Sequence, residues 1–341
     1  MQRRQVGYPP TVAHQSESGH RAFFAQTAEL ARLCFVKTSG SLFVAALMIT
    51  VGCAGTAVDR PQDDNLGSGT PSPPATDNPN LGGGDQKPTT KPAFEEGAVY
   101  AQSARTLYRV DITAAGNKIV EVGDFQGIGS DSVIDIALDA KSKAYAVTYT
   151  GLYKLDTQTA ACTRVAGGSF PNSLSFVPAG TVDAAEEALV GYLNADYVRI
   201  ATTGVNAGKV TTIRAKALGE GLVSSGDIVA VAGKAFLTVK ASSSCNESAC
   251  RRCKTEDCLV SINAATGEVL DNRGPIGRSS VFGLAFWAGK AYGFSDGGAL
   301  FTVDIESPTI STASIPFSGA PSGLSFYGAG SSTAAPVSSV Q

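Results

Sequence analysis

The chain has 341 residues, with 27 Lys or Arg and 30 Asp or Glu, so its formal net charge is −3 at pH 7. This mild acidity, without a basic stripe, argues against nucleic acid as a partner. The two histidines, His14 and His20, lie at the N-terminus, and a chain without its first 52 residues has none. Such a chain could hold neither a Ser-His-Asp or Cys-His nucleophile system nor a histidine-ligated metal.

The N-terminal region has the pattern of an export signal. Residues 42–51 form a ten-residue apolar run, which is a typical signal-peptide core and too short to span a membrane as a helix. Lys37 precedes the run and Gly52-Cys53 follows it. This stretch resembles the lipobox of bacterial lipoproteins. The resemblance implies a signal peptide at residues 36–52, lipidation of Cys53 and anchoring to the outer membrane, with a periplasmic or surface-exposed domain. An ordinary signal peptide with a chance cysteine is the alternative.

Residues 1–35 are polar and have no clear periodicity, although they precede this signal. Because bacterial GTG codons can start translation, Val36 is a suitable first residue for a lipoprotein. We therefore interpret residues 1–35, including Cys34, as a mis-assigned N-terminal extension.

Two further segments lack any hydrophobic pattern. Residues 53–96 contain seven prolines and three consecutive glycines, a composition that predicts a disordered tether with a mean span of about 35 Å after the lipidated cysteine. Residues 331–341 are poor in large apolar residues and are predicted to be a disordered tail.

Between residues 97 and 330 a unit of four short strands recurs. Its clearest copy runs from Val133 to Ala166, where apolar segments alternate with turn-forming residues. The strands of this copy are predicted at residues 135–139, 143–148, 152–156 and 162–166. The third strand starts at positions 107, 152, 197, 259 and 300, at intervals of 45, 45, 62 and 41 residues. An insertion of about sixteen residues in one connection of the fourth unit explains the long interval, as insertions do in propellers and solenoids.

The two ends of the repeat region complement each other. The first unit, near Val99, lacks a first strand, whereas Gly323–Phe326 resembles a first strand with no unit after it. A closed ring explains both facts, because the C-terminal strand would complete the first blade. The sequence therefore predicts an all-β fold, a β-propeller of five four-stranded blades over residues 97–330. Six blades or a β-sandwich are the alternatives. The turn Asn263–Glu268 resembles those of bacterial extracytoplasmic β-propeller repeat proteins.

Four cysteines lie in the insertion between the second and third strands of the fourth unit, with the spacing C-x4-C-x2-C-x4-C: Cys245, Cys250, Cys253 and Cys258. Two disulfides are expected in an exported protein. A nested pairing would suit a hairpin, although three connectivities are possible, and zinc or an iron–sulfur cluster are alternatives. Arg251 and Arg252, at the predicted loop tip, are candidate donors to an anionic group of a partner. Cys162 is predicted to be a buried thiol.

In propellers, the connection between strands two and three shares a face with the entry to the innermost strands. On that face the first strands are expected to present to the central channel Asp135, Ser173, Asp227, Gly283 and Gly323. Asp131 lies just before them. Carboxylates around a narrow mouth could hold Ca²⁺, or they could be solvated groups that cap strand ends.

The sequence therefore favours a cell-envelope lipoprotein whose propeller is a non-catalytic binding or scaffold domain for an envelope protein or ligand. We expect a monomer without a cofactor, tied to the membrane by its lipid. No catalytic residue is predicted, because Ser295 matches the G-x-S-x-G pattern but has no histidine after it. The alternative is a Ca²⁺-assisted hydrolase that uses Asp131, Asp135 and Asp227 at the channel mouth.

Overall fold

The structure is a computed structural model that describes residues 99–113 and 115–338. The N-terminal extension, the signal peptide, Cys53 and the tether lie outside the described residues.

Within this part the chain forms five sheets. Four of them have four antiparallel strands in sequence order, and the sheet of the first blade has a fifth, short strand that pairs in parallel with its outer strand. The first blade contains β1 (Val99–Gln102), β2 (Thr106–Thr113) and β3 (Gly116–Asp124). The second contains β4 (Asp135–Leu138), β5 (Ala144–Val147), β6 (Gly151–Leu155) and β7 (Cys162–Gly167). The third contains β8 (Leu174–Val177), β9 (Ala188–Leu193), β10 (Asp196–Ile200) and β11 (Val210–Arg214).

The fourth blade contains β12 (Leu222–Val231), β13 (Lys234–Ala241), β14 (Cys258–Ile262) and β15 (Val269–Pro275). The fifth contains β16 (Val281–Trp287), β17 (Lys290–Ser295), β18 (Leu300–Val303) and β19 (Thr312–Ser314). Two short strands follow, β20 (Phe317–Ser318) and β21 (Gly328–Gly330). The helices of the described part are the four-residue α1 (Ser248–Arg251) and a 3₁₀ turn (Gly204–Asn206), and neither is long and apolar enough to cross a membrane. The predicted five-bladed propeller is confirmed.

The two ends of the ring differ in the connections that they carry. We call the upper face the end at which the second strand of each blade turns into the third, and the lower face the end at which the first strand turns into the second. The lower hairpin between β12 and β13 contains Ala232 and Gly233 at φ values of 49° and 76°, and its counterpart in blade five contains Ala288 and Gly289 at 51° and 80°. Two consecutive positive φ values are typical of the tight turns that match strand twist.

The ring is closed by β21, which pairs with β1 so that Gly330 lies opposite Tyr100 and Gly328 opposite Gln102. Closure by a C-terminal strand is confirmed, but the predicted residues, Gly323–Phe326, were wrong. A side chain at Gly330 would have its Cβ 2.9 Å from the carbonyl oxygen of Ile136, so the strand nearest the axis must be built from small residues. A strand of such small residues cannot be recognised by its hydrophobicity. The apolar residue of the predicted segment, Phe326, instead packs at the edge of the Phe294 ring in the core between blades five and one.

The apolar core lies between neighbouring blades and forms five clusters of buried side chains. Between blades three and four, the hydroxyl groups of Tyr192 and Tyr197 donate to the carbonyl oxygens of Gly267 (2.5 Å) and Ala264 (2.7 Å). These carbonyls belong to the turn Asn263–Glu268, so this turn also joins two blades.

The described part of the C-terminal tail, residues 331–338, packs against the lower face, and the prediction of disorder there was wrong. Ala335 is only 7% exposed and joins the core between blades four and five. The tail also makes hydrogen bonds to blades two, three and five, through Ser332 to Asp139 (2.8 Å), Thr333 to Glu187 and Gly289 to Pro336 (3.2 Å). Large apolar residues are not needed to hold this segment in place, because these hydrogen bonds and the burial of Ala335 do so.

Candidate functional site

Two of the predicted channel residues, Asp135 and Asp227, are fully buried (0% exposed). Asp135 Oδ2 accepts the backbone N–H of Leu174 in blade three (2.7 Å), and Asp227 Oδ2 accepts that of Leu284 in blade five (3.0 Å). The expectation that these carboxyl groups line an open channel mouth was wrong. Each one instead joins the inner strand of its blade to the inner strand of the next.

The same two carboxyl groups interact with each other, and each affects the pKa of the other. Burial is the largest influence and raises the pKa of both groups well above the usual range, and the charge of Asp135 raises the pKa of Asp227 further. Oδ1 of Asp227 has no partner among the described groups if both carboxyls are ionised. A single proton, carried by Asp227 and donated to Asp135, satisfies both groups.

The other three predicted channel residues have structural roles. Ser173 is fully buried, and its Oγ accepts the backbone N–H of Tyr192 (2.9 Å). A Cβ at Gly283 would lie 2.8 Å from the Cβ of Ala329 in the closing strand, so Gly283 allows β16 and β21 to approach. Gly323 is exposed at a φ of 74° and lies outside the inner strands.

The axis of the propeller is filled with side chains. A cavity of only about 10 Å³ remains among the inner strands, lined by residues that include Ile136, Leu174, Ile228 and Leu284. That volume holds one water molecule at most. Among the described residues, the tail also packs over the lower face, and this axial cavity is too small for a ligand.

Asp131 is only partly buried, unlike Asp135 and Asp227. Its Oδ2 accepts the hydroxyl groups of Thr150 (2.5 Å) and Thr148 (3.1 Å), and these bonds lower the pKa of the Asp131 carboxyl. Among the described residues, no group of three or more His, Cys, Asp or Glu side chains is placed to hold a metal ion. The arrangement therefore gives no support to the Ca²⁺-assisted hydrolase that the sequence left open.

The four cysteines of the blade-four insertion form two disulfides, Cys245–Cys250 and Cys253–Cys258. The expectation of disulfides is confirmed, but the nested pairing was wrong. Cys258 already lies in β14 opposite Val239, whereas Cys245 comes six residues later than Val239. The two therefore do not face each other as hairpin ends, and the turn of α1 instead returns Cys250 to Cys245.

We call residues 242–257 the disulfide loop, which lies on the upper face between β13 and β14, as predicted. Its cysteines are buried in the core between blades three and four. At its C-terminal end, Asp257 Oδ2 accepts the backbone N–H of Val281 in blade five (2.7 Å). Arg251 and Arg252 are exposed, and no ion pair involves either one in the part of the chain that the structure describes. The disulfide loop is thus held in place by two disulfides and a hydrogen bond, and it carries two exposed arginines without an ion-pair partner among the described residues.

Two exposed tyrosines on the upper face were missed in the sequence. Tyr149 is 68% exposed in the turn between β5 and β6, and Tyr327 is 41% exposed just before the closing strand. The ring of Tyr327 lies 6.4 Å from that of Phe282. A large aromatic residue inside a tight turn, as in Thr148-Tyr149-Thr150, was the available signal, because a turn residue has no blade to pack against.

Two residues that the sequence singled out have local roles. Cys162 begins β7 as a half-buried free thiol, and burial raises its pKa to about 11. Ser295 ends β17, and its Oγ accepts the backbone N–H of Ala299 (3.3 Å) in a strand-to-strand turn. This turn lacks the strand-to-helix geometry of a nucleophile elbow.

No protein-family model and no curated protein matches this sequence. Among solved structures, a chain of a nidogen/laminin complex is similar with a TM-score of 0.40 and 11% identity, over 70% of this chain and 99% of that one. An α-L-arabinofuranosidase from Clostridium thermocellum gives 0.40 and 11%, over 64% and 93%. A protein of unknown function from Bacteroides caccae gives 0.33 and 12%, over 64% and 73%. Similarity at this level does not assign a function.

Proposed function

We propose that this chain is a cell-envelope lipoprotein, anchored through Cys53, whose propeller is a non-catalytic domain that binds a protein partner on its upper face. The observation that carries the proposal is the placement of the exposed Tyr149 and Tyr327 on the same face as the free Arg251 and Arg252. Two disulfides in a single loop also favour an exported protein.

The chemistry of this face suits protein recognition. Tyrosine and arginine are enriched among the residues that contribute most to protein–protein binding. Two disulfides and a buried Asp257 hold the loop that carries the arginines, which reduces the ordering cost of association. Without residues 1–52 the chain has 22 basic and 28 acidic side chains, so a pair of unpaired arginines is a local exception that suits an acidic patch on the partner.

The interior supports binding rather than catalysis. The carboxyl pair is buried and bonded to backbone amides, so it cannot reach a substrate without a rearrangement of the inner strands. The cavity on the axis is too small for a substrate.

An affinity capture from detergent-solubilised cell envelope tests the partner. The baits are the full-length wild type, an Arg251→Glu/Arg252→Glu variant, a Tyr149→Ala/Tyr327→Ala variant and a Val205→Glu control. Val205 is fully exposed on the lower face, in the turn between β10 and β11. We expect one envelope protein to be retained by the wild type and the control and lost from both upper-face variants. Equal capture by all four baits, or no specific capture, would contradict the proposal.

Intact-mass analysis of the membrane fraction tests the anchor. A diacylated or triacylated chain that begins at Cys53 is expected. A mature chain with an unmodified N-terminus elsewhere would refute lipidation and leave the capture experiment unaffected.

A further inference from the structure

A pocket of about 490 Å³ opens at the lower end of blade four. It lies at the opposite end of β13 and β14 from the disulfide loop, and its lining includes Val231, Lys234, Phe236, Ala264, Leu270 and Arg273. Its volume is within the usual range for small-molecule sites. The upper-face proposal does not use this pocket, so the two can be tested independently.

Two lining residues owe their position to irregularities of the outer strand. In the pairing of β14 with β15, Leu270 and Arg273 are both extra residues without a partner. Such bulges redirect side chains and are frequent beside binding and active sites. Of the outer strands in the described part of the chain, β15 has two register shifts, whereas each of the others has one or none.

The bulge at Arg273 repeats in other blades with a different kind of side chain. At the corresponding register shifts, blades one, two and three have the apolar residues Val122, Val165 and Ile213. Those three are partly buried and pack against the core clusters. The fold therefore accepts an aliphatic side chain at this position, whereas blade four has a cation there.

The guanidinium group of Arg273 is held in one orientation. Its Nη1 donates to the carbonyl oxygens of Ile305 (2.8 Å) and Ser307 (2.6 Å), and its Cζ lies 5.3 Å from the ring centre of Phe236. Nε is buried and forms an ion pair with Asp271 at 3.6 Å, and Nη2 has no hydrogen-bond partner among the described residues. The guanidinium group is thus held in place, and its Nη2 is left without a hydrogen bond among the described residues.

Charge distinguishes this pocket from its counterpart under blade five. Its lining contains Lys234 and Arg273 and no acidic residue. The pocket below blade five, also about 490 Å³, contains the equivalent Lys290 but adds Asp304 and Glu306. Lys234 forms an exposed ion pair with Glu306 (2.6 Å), and an exposed pair of this kind is weak enough to exchange for a ligand.

We propose that the pocket under blade four binds a small organic carboxylate with an apolar body. The carboxylate would meet the basic edge formed by Lys234 and Arg273, and the apolar body would lie against Val231 and Leu270. Leu270 is 66% exposed, so a ligand that covers it gains apolar contact. A guanidinium group suits a carboxylate because its planar donors match the two oxygens.

Isothermal titration of the full-length protein with 3-phenylpropionate and with 3-phenylpropylamine tests the charge preference. The two probes share the same apolar body and differ in the sign of their charge. We expect saturable binding of the acid and no saturable binding of the amine. Equal binding of both probes, or failure of the acid to bind at millimolar concentration, would overturn the proposal.

Three variants test the location. Leu270→Glu places a negative charge on an exposed bulge and should weaken binding of the acid about 10-fold or more, as should Arg273→Gln. The matched control is Val205→Glu, the same change at another exposed apolar residue of the lower face, and it should bind like the wild type. Arg273 also joins two blades, so its variant is checked by thermal melting. If that variant fails to fold, Leu270→Glu alone decides, and unchanged affinity in it would refute the site.

Discussion

Asp135 of blade two and Asp227 of blade four form a pair of interacting carboxyl groups inside the ring, although a whole blade separates them in the sequence. Both side chains are fully buried, and burial favours their neutral form. Asp135 accepts the backbone N–H groups of Ile136 (2.8 Å) and Leu174 (2.7 Å), and its charge raises the pKa of Asp227. Asp227 therefore supplies the proton that the pair shares.

This pair should make the stability of the propeller depend on pH. A carboxyl group whose pKa is higher in the folded state stabilises the fold most below its unfolded pKa, near 3.9, and that stability is lost as the pH rises through the folded pKa. The free energy of unfolding should therefore fall between pH 5 and pH 8, by up to about 1.4 kcal/mol per pH unit for one proton. Urea unfolding at the two pH values measures this loss.

Asp227→Asn provides the comparison. An amide is neutral at every pH, can donate to Asp135 and can accept from Leu284, so the loss between pH 5 and pH 8 should be smaller than in the wild type. Burial also raises the pKa of Asp257. This residue is present in both proteins, so its contribution to the pH dependence cancels in the comparison. Asp135→Asn should destabilise by about 1–3 kcal/mol at both pH values, because its NH₂ group would face a backbone N–H. Equal pH dependence in the wild type and Asp227→Asn would refute the shared proton.

The disulfide pairing predicts a specific result from tryptic digestion under non-reducing conditions. Trypsin cleaves before the first of the four cysteines, after Lys240, and between them, after Arg251, Arg252 and Lys254. The structure predicts that peptide 241–251 carries an internal disulfide and that peptide 253–254 is linked to peptide 255–273. Mass spectrometry distinguishes these products from those of the nested pairing, in which peptide 241–251 would be linked to both of the others.

Gly328 should not tolerate a side chain. A Cβ there would meet the Gln102 side-chain amide and lie 2.5 Å from Asp135 Oδ1. Gly328→Ala should therefore destabilise by about 1–3 kcal/mol, as overpacking does. Gly297→Ala is the matched control, since its Cβ would meet only Ser295 Oγ at 3.9 Å, and its melting temperature should be close to that of the wild type. Similar melting of both variants would mean that β21 is not packed against Asp135.

Two truncations distinguish the contribution of the closing strand to stability from that of the C-terminal tail. A chain that ends at Gly330 keeps β21 and loses the contacts of Ala335, so it should remain folded with a lower melting temperature. A chain that ends at Tyr327 also loses β21 and leaves β1 as an open edge, so it should aggregate. Size-exclusion chromatography and thermal melting measure both outcomes. A monomeric 1–327 chain with unchanged melting would disprove closure by β21.

The sequence was sufficient for the features that depend on local pattern. In blade two, the predicted strands at 135–139, 143–148, 152–156 and 162–166 match the observed β4 to β7 within one residue at every end. Alternation of apolar residues and turn chemistry act within a few residues, so a single copy of the repeat already reports them. The repeat spacing then gave the blade number, and the excess length in one interval gave the place of the disulfide loop.

Tertiary structure alone decided the features in which distant residues meet. The closing strand is Gly328–Gly330 because only small residues fit beside Asp135 and Ile136 at the axis. This steric limit cannot be predicted from the pattern of apolar residues in the sequence. Asp135 and Asp227 form a buried pair because the ring brings blades two and four together. The extra residues Leu270 and Arg273 line a pocket because a register shift in β15 turns them out of the sheet, and a register is set by pairing between strands rather than by either strand alone.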